Sequence, residues 1–159
     1  MTNDPREVFM RRAIDLSRIK MEENCGGPFG AVIVKDGKII GEGWNQVTST
    51  KDPTAHAEVA AIRAACAAAG DFSLEGAEIY TSCEPCPMCL AAIYWARISR
   101  IYYANTRHDA ADIGFDDEFL YREIVLPEAD RSVPVSRLLA DEAKDVFVAW
   151  TTKGDKTPY

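Results

Sequence analysis

The sequence has no apolar run approaching the roughly 20 residues that a membrane-spanning helix needs. It also shows no internal repeat, low-complexity tract or obvious linker. There is no signal-like N-terminus, so we expect the five cysteines to lie in a reducing compartment, the cytoplasm, and to serve a metal rather than disulfides. The 159 residues, 47% of them apolar, suffice for one domain with its own core.

Basic residues are fewer than acidic ones in this chain. The chain has 18 Lys and Arg against 25 Asp and Glu, which gives a net charge of −7. A protein that binds nucleic acid over a large surface neutralises the phosphates with clustered Lys and Arg. We therefore expect a small-molecule substrate and no nucleic-acid or membrane partner, although a local basic patch is compatible with this charge.

Histidine is scarcer still, with only His56 and His108. His56 opens the stretch around which the chain is organised, PTAHAE at 53–58, and the stretch resumes after a spacer as TSCEPCPMC at 81–89. Together they have the form H-A-E…P-C-x-x-C, the signature of zinc-dependent nucleobase deaminases. One imidazole and two thiolates would hold zinc and leave its fourth position open for water. Glu58 is not needed as a ligand and can instead move protons between that water and a substrate.

The flanking residues predict the local structure of this stretch. Pro53 and Thr54, followed by an Ala-rich run at 59–69 that ends at Gly70, predict the start, body and end of a helix, with His56 and Glu58 in its first turn. Cys86 and the proline after it predict the start of a second helix, and 77–81 predicts a strand between the two. Cys86 and Cys89 then face the same way, one turn apart, and the helix N-termini favour the thiolate form.

Two alternatives remain at this point. Cys83 and Cys86 have the same spacing, but we favour Cys86 and Cys89 because Cys83 is expected at the end of the strand, pointing elsewhere. A lone C-x-x-C would indicate a structural zinc or a redox pair, whereas its combination with H-A-E favours a catalytic zinc. His108 is expected at the surface or in a loop, since the ligand set is already complete.

The rest of the chain alternates strands and helices after an opening hairpin. Helices are predicted at 5–22, weakly at 109–124 and at 141–150, and strands at 31–34, 38–44, 100–104 and, at a sheet edge, 132–138. With the strand and helices of the zinc stretch, this makes five strands and about five helices. The pattern predicts an α/β fold, a three-layer α/β/α sandwich with a mixed five-stranded sheet.

Several segments besides the zinc motif carry a family likeness. They are GGPFGAVIV at 26–34, DPTAHAEV at 52–59, YTSCEPCPMC at 80–89, AIYWAR at 92–97 and GFDD at 114–117. Over essentially the whole chain the sequence resembles the small bacterial guanine deaminases of the cytidine deaminase-like superfamily. The zinc motif is common to that superfamily, whereas IYW at 93–95 and FDD at 115–117 are more discriminating.

The resemblance implies one Zn²⁺ per subunit on His56, Cys86 and Cys89, and hydrolysis of guanine to xanthine and ammonia with Glu58 as the catalytic residue. Guanosine, cytosine and tRNA adenosine are the alternative substrates. The family likeness further implies a homodimer in which each subunit is a single deaminase domain, 1–159, and 126–159 crosses over as a lid. The implied substrate contacts are Asn45, Phe29, Trp95, Asp117, Ala57 and the C-terminal Tyr159.

Without the family likeness, several of these residues have simpler explanations. Phe29 and Trp95 are equally compatible with core aromatics. Asp116 and Asp117 would form a solvated acidic pair, and Tyr159 would be a disordered end.

Overall fold

The computed structural model describes residues 4–159, and four strands in it form one mixed sheet with the order β2-β1-β3-β4. β1 runs antiparallel to both β2 and β3, and β3 runs parallel to β4. The strands are β1 (Gly30–Lys35), β2 (Lys38–Trp44), β3 (Glu78–Cys83) and β4 (Arg100–Asn105). The helices are α1 (Pro5–Glu22), α2 (Val47–Thr50), α3 (Ala57–Ala69), α4 (Pro87–Trp95), α5 (Arg107–Asp112), α6 (Glu118–Val125) and α7 (Ala140–Thr152), with a 3-10 turn at Glu128–Asp130.

Helices cover both faces of the sheet, which explains why β1 is buried on both sides. Val32 and Val34 point to the face covered by α1 and pack with Leu16 of that helix. Ala31 and Ile33 point to the opposite face, where the alanines of α3 complete the core. The predicted α/β fold with a mixed sheet is confirmed, and the helices form the two outer layers of a sandwich.

α3 lies directly on the backbone of β2. A Cβ atom on Gly43 would come within 2.2 Å of the Ala57 carbonyl oxygen and 2.3 Å of the Ala61 nitrogen. Ordinary side chains would therefore push the helix away from the strand. This close contact fixes the position of α3 on β2 at the point where the helix begins, immediately after His56.

The chain divides into two compact units, 4–118 and 119–159. The first unit contains the sheet. In the second, the Glu123 carboxylate accepts hydrogen bonds from the backbone nitrogen and the hydroxyl of Ser132, at 2.9 and 2.8 Å, and Arg131 donates to the Leu126 carbonyl oxygen. None of the residues of α7 is buried.

The prediction of a fifth strand is wrong. Residues 132–138 form neither helix nor strand in the described chain, so the sheet has four strands instead of five. Pro134 has no N–H to give to a ladder, and Val133 and Leu138 are 73% and 82% exposed, so the apolar side chains are not held against a core. Among the described residues, no helix has both the length and the apolar character needed to span a membrane.

Candidate active site

The ligand atoms of His56, Cys86 and Cys89 converge within 4.8 Å of one another. His56 is the residue before α3, Cys86 is the residue before α4, and Cys89 is in the first turn of α4. His56 Nδ1 lies 3.6 Å from Cys86 Sγ and 3.4 Å from Cys89 Sγ. Zinc distances of about 2.1 Å to nitrogen and 2.3 Å to sulfur, at a tetrahedral angle, place the two atoms about 3.6 Å apart. The donor set therefore fits a tetrahedral zinc with one position left over.

The pKa values of the two thiols shift in opposite directions. Cys86 Sγ accepts a hydrogen bond from Cys89, and this contact lowers the pKa of Cys86 while it raises the pKa of Cys89. His56 also hydrogen-bonds Cys86, which raises the pKa of the imidazole. One thiolate is thus already favoured, and a divalent cation would bring the second thiol to the same state.

Cys83 is not part of this group. Its Sγ lies 3.6 Å from the Thr106 carbonyl oxygen, and burial raises the pKa of its thiol to about 11. The geometry accordingly favours Cys86 and Cys89 over Cys83 and Cys86 as the metal-binding pair.

Glu58 is buried beside the ligands, with 7% of its surface exposed. Its Oε1 lies 3.4 Å from the hydroxyl of Thr81, which is also 3.0 Å from the Cys83 carbonyl oxygen and can donate to either. Burial raises the pKa of the Glu58 carboxyl, and a cation nearby would act in the opposite direction. A carboxyl in such surroundings can both take up and release a proton.

Asn45 follows β2 and is only 7% exposed. Its backbone nitrogen donates to the Phe29 carbonyl oxygen at 3.0 Å, and the next residue, Gln46, donates to the Ala55 carbonyl oxygen at 2.9 Å. These bonds tie the end of β2 both to the start of β1 and to the segment that leads into His56. Asn45 and Phe29 are thus held beside the ligand-bearing end of α3.

The Phe29 ring packs edge to face on Phe115, with ring centroids 4.9 Å apart and an interplanar angle of 89°. Phe29 also packs against the core. Sequence reasoning missed a role for Phe115, and the signal was its place in the FDD segment at 115–117. Trp95, by contrast, is the last residue of α4 and is 66% exposed.

Asp117 is half-buried, and burial together with the negative charge of Cys86 raises the pKa of its carboxyl. It also lines a cavity of about 430 Å³ with Arg107, His108 and Asp116. His108 is exposed and lies outside the metal-binding group, as expected.

The two remaining predicted substrate contacts, Ala57 and Tyr159, differ in how far they are exposed to solvent. Ala57 is fully buried, so it can reach a ligand only through its backbone, and its N–H is among the first four of α3, which have no acceptor within the helix. Tyr159 is the last residue of the second unit and is 73% exposed.

A family model described as the cytidine and deoxycytidylate deaminase zinc-binding region matches residues 3–105. The chain therefore belongs to this family and is a zinc-dependent hydrolytic deaminase. It is 51% identical over 153 residues to the guanine deaminase of Bacillus subtilis, covering 96% of this chain and 98% of the relative. A crystal structure of guanine deaminase from Bacillus subtilis matches with a TM-score of 0.94 and 50% identity, over 100% of this chain and 99% of the other.

A second kind of relative is similar over a shorter stretch. The tRNA-specific adenosine deaminase of Agrobacterium fabrum is 53% identical over 76 residues, which cover 48% of this chain and 50% of that protein.

Proposed function

We propose that the chain hydrolyses the free base guanine to xanthine and ammonia. The observation that carries the proposal is the extent of its likeness to a guanine deaminase, which includes 96% of this chain. The likeness to the tRNA-specific adenosine deaminase of Agrobacterium fabrum covers about half of it. Because the zinc motif is common to both, the substrate is better judged from the residues outside it.

His56, Cys86 and Cys89 hold the metal. When bound, zinc activates a water molecule for attack on the carbon that carries the amino group. The Glu58 carboxylate takes one proton from the attacking water and gives it to the neighbouring ring nitrogen. It then takes the proton of the new hydroxyl group and gives it to the departing amino group, so that the carbonyl forms as the C–N bond breaks. The new C–O bond replaces the broken C–N bond, and the nitrogen leaves as ammonia.

The substrate contacts follow from the chemistry of guanine, which presents ring N–H and amino donors along one edge. The Asp117 carboxylate accepts from that edge, and the pyrimidine ring of cytosine offers fewer such donors. Phe29 and Trp95 clamp the flat ring, and Ala57 contributes its backbone N–H. A site built on these hydrogen bonds rejects analogues that leave its buried polar groups unpaired.

The working form that we propose is a homodimer in which 126–159 of one subunit closes over the site of the other, with Tyr159 as part of the lid. The support is the apolar character of α7, where Val146, Phe147, Val148 and Trp150 are exposed by 66, 76, 56 and 43%. Such a surface is unusual on an isolated chain. If the protein sediments as a monomer and stays fully active at high dilution, this part of the proposal is wrong.

A lid of this kind also favours a bare base over a nucleoside, because closure leaves no room for ribose and excludes water from the polar contacts. We place the enzyme in the cytoplasm, where its five free cysteines would stay reduced.

The decisive experiment measures ammonia release from guanine, guanosine, adenine, cytosine and a tRNA anticodon stem-loop. Guanine is expected to turn over fastest, and no release is expected from the stem-loop because a chain with a net charge of −7 lacks a large phosphate-binding surface. If guanine is inert while guanosine or the stem-loop reacts, the free-base proposal fails, and the lid argument fails with it. Glu58→Gln, loaded with zinc, is the matched control for contaminating deaminases.

A further inference from the structure

The amide of Asn45 is held by two backbone groups. Its Oδ1 accepts hydrogen bonds from the Gly27 nitrogen at 3.1 Å and the Val47 nitrogen at 3.2 Å. Both partners are donors, so the atom that faces them must be the oxygen and not the amino nitrogen. A carbonyl oxygen has two lone pairs, and these two bonds occupy both. The amide cannot rotate without leaving two N–H groups unpaired next to a buried side chain.

Gly26 packs closely against the same residue, Asn45. A Cβ atom there would lie 2.2 Å from the Asn45 carbonyl oxygen and 2.4 Å from its Oδ1. The first of these atoms is backbone, so it cannot yield as the end of a flexible side chain would. Position 26 therefore tolerates no side chain while Asn45 keeps its place.

We propose that Gly26 and Gly27 are positioning residues that lock Asn45 as a pure hydrogen-bond donor toward the substrate. Only the N–H groups of Nδ2 remain for a ligand, so the substrate must present a lone pair to them, on a bare ring nitrogen or a carbonyl oxygen. An amide free to turn could accept as well as donate, and the two backbone bonds remove the accepting role. The inference rests on the proposed function, because it assumes that Asn45 contacts the heterocycle.

Asn45→Asp tests the donor role directly. The aspartate keeps an oxygen that accepts from the N–H groups of Gly27 and Val47, so both hydrogen bonds survive. It replaces the amino group with a second acceptor. We expect the variant to fold and keep its zinc while KM rises by about 10-fold or more, the usual cost of losing such a bond. If Asn45 acted as an acceptor, the variant would bind normally, and an unchanged KM overturns the inference.

Gly26→Ala tests the positioning role, with Gly37→Ala as its matched control. Gly37 lies in the turn between β1 and β2, at the other end of β2 from Asn45, with φ of +72° and no atom within 4 Å of an added Cβ. Both variants should lose stability. Only Gly26→Ala should raise KM, by about 10-fold, with a smaller change in kcat.

Equal KM values for the two glycine variants would overturn the positioning role. If Gly26→Ala does not fold, Asn45→Asp decides alone. The wild-type enzyme separates this inference from the proposed function: if guanine is inert, the proposed substrate is wrong, and the same variants are then compared on whichever base or nucleoside of the panel releases ammonia.

Discussion

Gly43→Ala should disable the site although Gly43 is not one of its residues. The added Cβ would lie 2.2 Å from the Ala57 carbonyl oxygen and 2.3 Å from the Ala61 nitrogen, and both atoms belong to the backbone of α3. Comfortable contacts begin near 3.4 Å, so the start of α3 must retreat from β2 by about 1 Å. His56 and Glu58 lie at that end of the helix and would move with it.

A displacement of about 1 Å in catalytic groups can cost roughly 100-fold in rate. We therefore expect kcat of Gly43→Ala to fall by about two orders of magnitude, with weaker zinc retention because His56 leaves the two sulfurs. The measurements are ammonia release at saturating substrate and zinc content after gel filtration. Gly37→Ala, which adds its methyl group in open space in the turn at the far end of β2, serves as the control for lost stability alone.

The outcome that refutes this reasoning is a Gly43→Ala variant that folds, keeps its zinc and turns over at the wild-type rate. It would mean that α3 and β2 absorb the extra methyl group without moving the start of the helix, and that the close approach is not what positions His56 and Glu58.

Three further predictions concern single carboxylates. Glu58→Gln should keep its fold and zinc and lose at least about 100-fold in kcat, and retained ammonia release would contradict the proton-transfer role. Asp117→Ala should lower the rate on guanine relative to adenine and cytosine by about 10-fold or more, so unchanged ratios would exclude it from specificity. Hydrogen bonds from Arg12 at 2.7 Å lower the pKa of Glu42 below its ordinary 4.5. The stabilisation of the fold by this ion pair is therefore present above pH 4.5 and is lost as the pH falls through the lowered pKa. Since both side chains are about one-third exposed, Glu42→Gln should cost less than about 1 kcal/mol in urea unfolding at pH 7 and nothing in acid, and an equal cost at both pH values would contradict the ion pair.

Local signals in the sequence predicted the elements that carry the site. The bounds of β2, 38–44, were predicted to the residue, because the turn at Asp36 and Gly37 and the alternation that follows it are both local features. The helix start at Cys86 was predicted from a similarly local feature, the proline in the first turn. The start of α3 was predicted a few residues too early, because His56 was expected in the first turn and is instead the residue before the helix. These features place the three metal-binding residues at two helix N-termini, which is why the ligand set could be predicted.

Tertiary contacts account for what the sequence could not predict. The sequence does not distinguish Gly43 from any other glycine in a strand, because its role depends on the contact with α3. The role of Phe115 likewise depends on its ring contact with Phe29. The apolar residues at 132–138 suggested a strand, but a strand exists only with a partner, and no ladder forms there in the described chain. Alternation in the sequence cannot supply the neighbouring strand.

The residues proposed for zinc binding and proton transfer lie in one part of this chain, whereas the proposed substrate contacts extend beyond it. The family model ends at residue 105, the last residue of β4, and it contains every residue proposed to bind zinc or carry a proton. Because relatives described as tRNA-specific adenosine deaminase and as guanine deaminase both match this chain, the zinc motif cannot by itself distinguish their substrates. Asp117, Phe115 and Tyr159 all lie beyond it, and the likeness to the Bacillus subtilis guanine deaminase continues through this region. We therefore expect a change of substrate within this family to involve residues after β4, Asp117 among them, while the zinc site stays the same.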